Sequence, residues 1–166
     1  GWLRFAHKND LPVVIGRVSR GIQDATGEYA WWRGDFSVQH KFKMGGRSGL
    51  SIRMNGGKIL QSVPLARAYV FPGIWTKRNY FDVSWLFNTM RFNEFSATEY
   101  AEGMIRFQPY TPWLGINKFR PKLTFVLNGA WGKWGSDGGA GHAGIAVTAP
   151  ERGFFEGGIF IQNILP

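Results

Sequence analysis

A chain of 166 residues without cysteine has the length of one domain, able to bury roughly 70% of its unfolded surface. The missing thiols exclude disulfides, thiolate metal sites and cysteine nucleophiles. Its net charge of +9 comes from 20 basic and 11 acidic residues spread along the chain in runs no longer than pairs such as Lys77-Arg78, so no basic arm points to nucleic acid as the main partner.

The chain opens on Gly1-Trp2-Leu3-Arg4-Phe5-Ala6, without Met and without a signal-peptide pattern, as expected of a processed product or a C-terminal fragment of a longer chain. No apolar run approaches the ~18 residues of a helical span, so membrane insertion is not expected. Aromatic residues make up 16% and glycines number 23, a composition typical of all-β chains.

In chain order, PVVIGRV is the first strand candidate after the opening segment. Trp31-Trp32, followed by Arg33-Gly34, is an aromatic cluster whose expected role is to cap a core. The clearest strand is FSVQHKFKM: Phe36, Val38, Phe42 and Met44 share one face with His40, while Ser37, Gln39, Lys41 and Lys43 share the other. This period of two predicts an antiparallel strand with its apolar face on the core and its polar face in water. His40 then reads as a satisfied core histidine. After GGRSG, the runs LSIRM and KILQSV flank Asn55-Gly56-Gly57, the pattern of a hairpin tip. ARAYVF, YFDVSW and TMRFNEF follow as short strands. SATEYAEGM carries Ser96 and Glu99 at capping-box spacing with Gly103 as a stop, which predicts one short helix and explains Glu99 and Glu102 by its dipole. GMIRFQ, KLTFVLN, AGIAVTA and GGIFIQNIL complete the set. Short strands between Gly, Pro and Asn turns predict a single all-β domain over residues 1–166, an antiparallel β-sandwich or jelly-roll-like knob with at most one short helix.

Two stretches carry contact-making side chains. Asn128 to Gly144, NGAWGKWGSDGGAGHAG, has seven glycines among seventeen residues. It lacks the GxxxxGK[ST] order of a phosphate-binding loop, and the dinucleotide fingerprint fails as well. Glycine permits close turns while the few side chains point outward, so Trp131, Lys133, Trp134, Asp137 and His142 form a candidate ligand-binding loop. The alternative is that the tryptophans fold back and staple the loop to the core. QPYTPWLGINKFRP, Gln108 to Pro121, adds Tyr110 and Trp113, which could line a groove or cap the sandwich. His7, His40 and His142 stand in no metal-ligand spacing, and no GxSxG elbow is present. No catalytic residue, metal ion or cofactor is therefore expected.

The opening GWLRFA resembles the GWYRIA-type segment that begins the distal domain of phage tail-fibre proteins. Gly34-Asp35-Phe36-Ser37-Val38 and Ser48-Gly49-Leu50-Ser51-Ile52 follow in the order of that family's next strands. The likeness spans about the first 55 residues; shaft repeats, a collagen-like tract and the HxH iron motif are absent. The resemblance implies a non-enzymatic, homotrimeric receptor-binding tip on an extracellular virion fibre, contacting a host-surface glycan or outer-membrane protein. A jelly-roll capsid or capsid-decorating subunit is the second expectation. A polysaccharide-active enzyme is the third, with Asp35, Asp82, Glu94, Asp137, Glu151 and Glu156 as its available carboxylates.

Overall fold

The computed structural model of the chain describes residues 2–5, 11–21, 30–61, 63, 67–74, 85–111, 121–135 and 148–162. Eleven strands follow in order: β1 (Trp2–Phe5), β2 (Val13–Gly21), β3 (Trp31–Met44), β4 (Ser48–Leu60), β5 (Tyr69–Val70), β6 (Gly73–Ile74), β7 (Phe87–Arg91), β8 (Ser96–Ala97), β9 (Glu99–Gln108), β10 (Lys122–Lys133) and β11 (Phe154–Gln162). The all-β class expected from composition and turn spacing is the one observed.

Seven strands form one antiparallel sheet in the order β1-β2-β3-β4-β9-β10-β11. The chain between β4 and β9 adds two small ladders, β5 with β8 and β6 with β7. The described residues around these ladders pack on one face of the large sheet, making two unequal layers. The core sits between them: Phe71, Phe87, Met90 and Ala97 from the small layer meet Tyr100, Met104 and Ala130 from the sheet. β3 turns into β4 through Gly45–Arg47, with Gly46 at φ 76°, a conformation that glycine adopts without steric cost.

Three expectations about elements are corrected. Asn55-Gly56-Gly57 is no hairpin tip: β4 runs straight through it, from Ser48 to Leu60. Each glycine is covered by an aromatic ring. A Cβ on Gly56 would lie 2.5 Å from Phe36 Cε1 on one side of the sheet, and one on Gly57 would lie 2.7 Å from Tyr100 Cε1 on the other. Close backbone approach, not a turn, is what these glycines supply.

The SATEYAEGM helix is also absent, its residues lying in β8, Thr98 and the first half of β9. Cross-strand hydrogen bonding on both sides of β9 outweighs the local capping signal. Glu99 and Glu102, three apart on a strand, consequently point to opposite faces.

The orientation of β3 is the third correction. Phe36, Phe42 and Met44 are exposed rather than packed on the core, and His40 sits among them with its ring edge-on to Phe42 at 4.1 Å. The inward face of β3 is the polar one, carrying Arg33, Asp35 and Ser37.

Candidate functional site

The apolar outer face of β3 continues on β4, β9, β10 and β11. Directly paired residues share a face in an antiparallel ladder, so the registers assign the faces strand by strand. On the outer face, Phe36, Gly56, Ala101 and Trp131 share one level. Val14, Val38, Met54, Gly103, Gly129 and Phe155 share the next. His40, Ile52, Ile105, Leu127 and Gly157 follow, then Phe42, Leu50, Phe107, Phe125 and Ile159, then Leu123 with Ile161. Phe155 is 77% exposed, Ile159 62% and Leu127 55%. At about half of the ~150–250 Å² an aromatic side chain can bury, these side chains together expose on the order of 1,000 Å². The largest apolar patch of a typical monomer is ~300–600 Å².

Among the described residues, Lys and Glu side chains enter this face at one edge only. Lys58, Glu99 and Lys133 share a level, with Glu99 held by Lys58 at 2.6 Å and by Lys133 at 3.2 Å. Beside them the Arg20 guanidinium lies 5.1 Å from the Trp32 ring centroid.

The inner face carries the apolar core and, among it, buried polar side chains. Asn128 is fully buried although its neighbour Leu127 is open, and Asn55, Glu102, Arg106 and Thr124 are buried with it. Asn55, Glu102, Arg106 and Asn128 are hydrogen-bonded within two networks, as burial of polar groups requires. Arg106 donates to Asn128 Oδ1 and stacks over Trp85 at 5.2 Å. Asn128 in turn donates to Glu156 and to the Leu86 carbonyl, the latter at 3.0 Å. The Glu156 carboxylate also accepts the backbone N–H groups of Asn88 and Thr89, each at 2.7 Å, and the Thr89 hydroxyl at 2.8 Å. It thereby clamps the start of β7 onto the sheet.

Further along, Asn55 donates to Glu102. Arg33 Nε donates to both oxygens of Asp35 at 2.8 Å, and the Tyr100 hydroxyl donates to Asp35 Oδ1 at 2.8 Å. That last bond joins β9 to β3 across β4, over Gly57, where a side chain would collide with both partners. Tyr69 stacks flat on Tyr100 with centroids 3.5 Å apart. Burial, and then the nearby Glu102, push the Tyr69 phenol well above its ordinary pKa, so it remains a neutral hydrogen-bond donor. Beside this network an open cleft of about 200 Å³ is lined by Arg17, Arg33, Arg53, Asp35, Asn55 and Tyr69, among others.

The residues expected to bind a ligand are dispersed. Trp131 and Lys133 belong to β10 rather than to a loop; Trp131 is 41% exposed on the outer face, and Lys133 is paired with Glu99. Trp134 follows the strand and is half-buried. Gly132, between them, faces inward, where a Cβ would meet Ala97 at 2.8 Å and Phe71 at 2.9 Å. The first half of the glycine-rich stretch is thus strand, its glycines set by packing. Tyr110 is exposed near the β3–β4 turn, with the Arg47 guanidinium 5.7 Å from its ring centroid, far along the strands from Trp131. Trp113, Asp137 and His142 lie outside the described residues.

Sequence reasoning missed the inner network of Asn55, Glu102, Arg106, Asn128 and Glu156. Its signal was present in Glu102 and Arg106 of β9 and Thr124 and Asn128 of β10, which fall on the face opposite Ile105, Phe107, Phe125 and Leu127. Among the described residues no three His, Asp or Glu come together as a metal site, and no helix is long and apolar enough to cross a membrane. No protein family, curated protein or solved structure was found to match this chain.

Proposed function

We propose that the large sheet is part of the wall of a transmembrane β-barrel, its outer face against lipid and its inner face lining a polar interior partly filled by the small ladders. The observation that carries this reading is the open apolar face: Leu127 is exposed while Asn128 beside it is buried, and exposed apolar side chains recur level by level on the outer face. A water-exposed sheet places its polar residues outward; a barrel in lipid does the reverse.

Dimensions agree. β2, β3, β4, β9, β10 and β11 are 9 to 14 residues long, and a tilted membrane strand needs ~9–11. From Gly56 to Ser48 the apolar levels run about 27 Å along β4; at a tilt of ~40° that gives a height near the ~25 Å apolar band of such barrels. Trp32 and Trp131 stand beside the charged level, where headgroups begin and where membrane proteins concentrate aromatic residues. Connections are unequal too: residues 6–12, 45–47 and 109–121 lie at one end, and the longer set 22–30, 61–98 and 134–153 at the other. The expectation of no membrane insertion rested on a search for helical spans, which strands escape. This reading requires β1 and β11 to be paired along their outer edges, because an open edge in lipid leaves backbone groups unsatisfied.

The test is refolding from urea into phosphatidylcholine vesicles. The chain is expected to enter them with β-type circular dichroism, and brominated acyl chains are expected to quench its tryptophan fluorescence. Monodisperse folding in buffer, with no vesicle partition, contradicts the reading.

The host-attachment tip remains a second proposal, supported by exposed Trp131 and by the long β10–β11 connection that follows it. Replacing Trp131 and Trp134 with alanine should then abolish attachment while leaving the melting temperature nearly unchanged.

A further inference from the structure

The strand order of the large sheet stops at β1 on one side and at β11 on the other, and neither has a second neighbour among the described residues. Native sheets blunt an open edge with Pro, Lys, a bulge or a very short strand. β1 is short, but β11 pairs with β10 in unbroken register over nine residues and holds neither Pro nor Lys. Its outer edge has the form of one that is paired.

The sheet cannot close that edge by meeting its own β1. Strands ~4.8 Å apart and tilted ~40° each take ~6.3 Å of a barrel's circumference. The seven strands of one chain would make a ring only about 14 Å across. A barrel of about eight strands has an interior just wide enough for side chains. Here the inner face carries a second layer of backbone as well, with Phe71, Phe87, Met90 and Ala97 of that layer packed against Tyr100, Met104 and Ala130 of the sheet. A packed layer stands ~10 Å from its sheet, so in so narrow a ring it would lie about 4 Å from the opposite wall. That is a backbone collision.

Two copies remove it. Their 14 strands, twice the seven of one sheet, enclose a barrel about 28 Å across. One small layer per copy, each ~10 Å from its own wall, leaves ~8 Å between the layers, near the spacing of packed sheets. Neighbouring strands are antiparallel throughout and their number is odd, so β1 and β11 run in the same direction. A two-fold axis along the barrel then makes two identical joins, β11 of each copy beside β1 of the other. We propose that the barrel wall is built by two copies of this chain, joined at these edges. The proposal rests on the lipid-facing reading of the outer face.

The test is pulsed electron double resonance on chains folded in phosphatidylcholine vesicles at high lipid excess. Each chain carries one spin label, on a cysteine introduced at Val38, Leu127 or Ile161, outward positions on β3, β10 and β11. About a two-fold axis every outer position stands diametrically opposite its copy. One distance of about 40 Å, the barrel width plus the reach of two labels, is therefore expected at all three positions, with the signal depth of paired spins. Distances that grow from Ile161 to Val38 would mean copies lying side by side, and overturn the proposal. A depth showing three spins together overturns it as well. Quenching of tryptophan by brominated lipid is measured on the same samples. If quenching is absent, the lipid-facing reading falls and this proposal with it. If quenching is present without a specific distance, the two-copy wall alone falls.

Discussion

At the scale of single residues, the decisive positions are those where a neighbour's demand overrides local preference. Gly57 is read from sequence as half of a turn, yet it sits mid-strand because the Tyr100–Asp35 hydrogen bond passes over it. Gly57→Ala places a methyl 2.7 Å from both Asp35 Oδ1 and Tyr100 Cε1. It is expected to cost about 1–3 kcal/mol by overpacking, read as a lower denaturation midpoint. Gly103, with open space at its Cβ position, is the contrasting site, where alanine should be nearly neutral. Glu156 makes the opposite case: nothing in GGIFIQNIL or its surroundings announces a clamp. Glu156→Ala strips the acceptor from two backbone N–H groups and from Asn128, and about 1–3 kcal/mol of destabilisation is expected, mostly from the buried Asn128 amide losing a partner. Faster hydrogen exchange at Asn88 and Thr89 should accompany it; unchanged exchange there would show that the clamp does not hold β7.

At the scale of elements, strand-like runs were plain in the sequence, and they placed β2, β3, β10, β11 and the second half of β9 correctly as strands. Which face turned inward was not legible. Alternation says only that two faces differ; the inference that the apolar one is buried assumes water outside. FSVQHKFKM therefore gave the right strand with the wrong orientation. The SATEYAEGM stretch failed for another reason: its capping residues are a short-range signal, whereas pairing with β4 and β10 is long-range. Lipid contact predicts a depth-dependent cost for charge on the outer face. Leu127→Arg, on a middle level, should cost about 2–4 kcal/mol in the vesicle folding equilibrium, and Val18→Arg, on the level of Lys58 and Lys133, only about 0–1 kcal/mol. Were the face in water, both would stay within about 0.5 kcal/mol.

At the scale of the molecule, the all-β class follows from composition and spacing, but the strand order and the environment do not. A helical membrane span announces itself as one apolar run. A barrel strand spreads the same information over alternate residues of several strands, and only the registers align them into levels. The sum of those levels is the central claim, that this face meets lipid. It is tested most directly by exploiting the absence of cysteine: spin labels are placed one at a time on cysteines introduced from Leu123 to Trp131 of β10, and oxygen and a water-soluble nickel complex compete for them in vesicles. The account predicts strict alternation. Labels at 123, 125, 127, 129 and 131 should be accessible to oxygen and shielded from nickel, most strongly near 127, and labels at 124, 126, 128 and 130 should not be. Nickel access equal along both sets, or oxygen access without alternation, would contradict it.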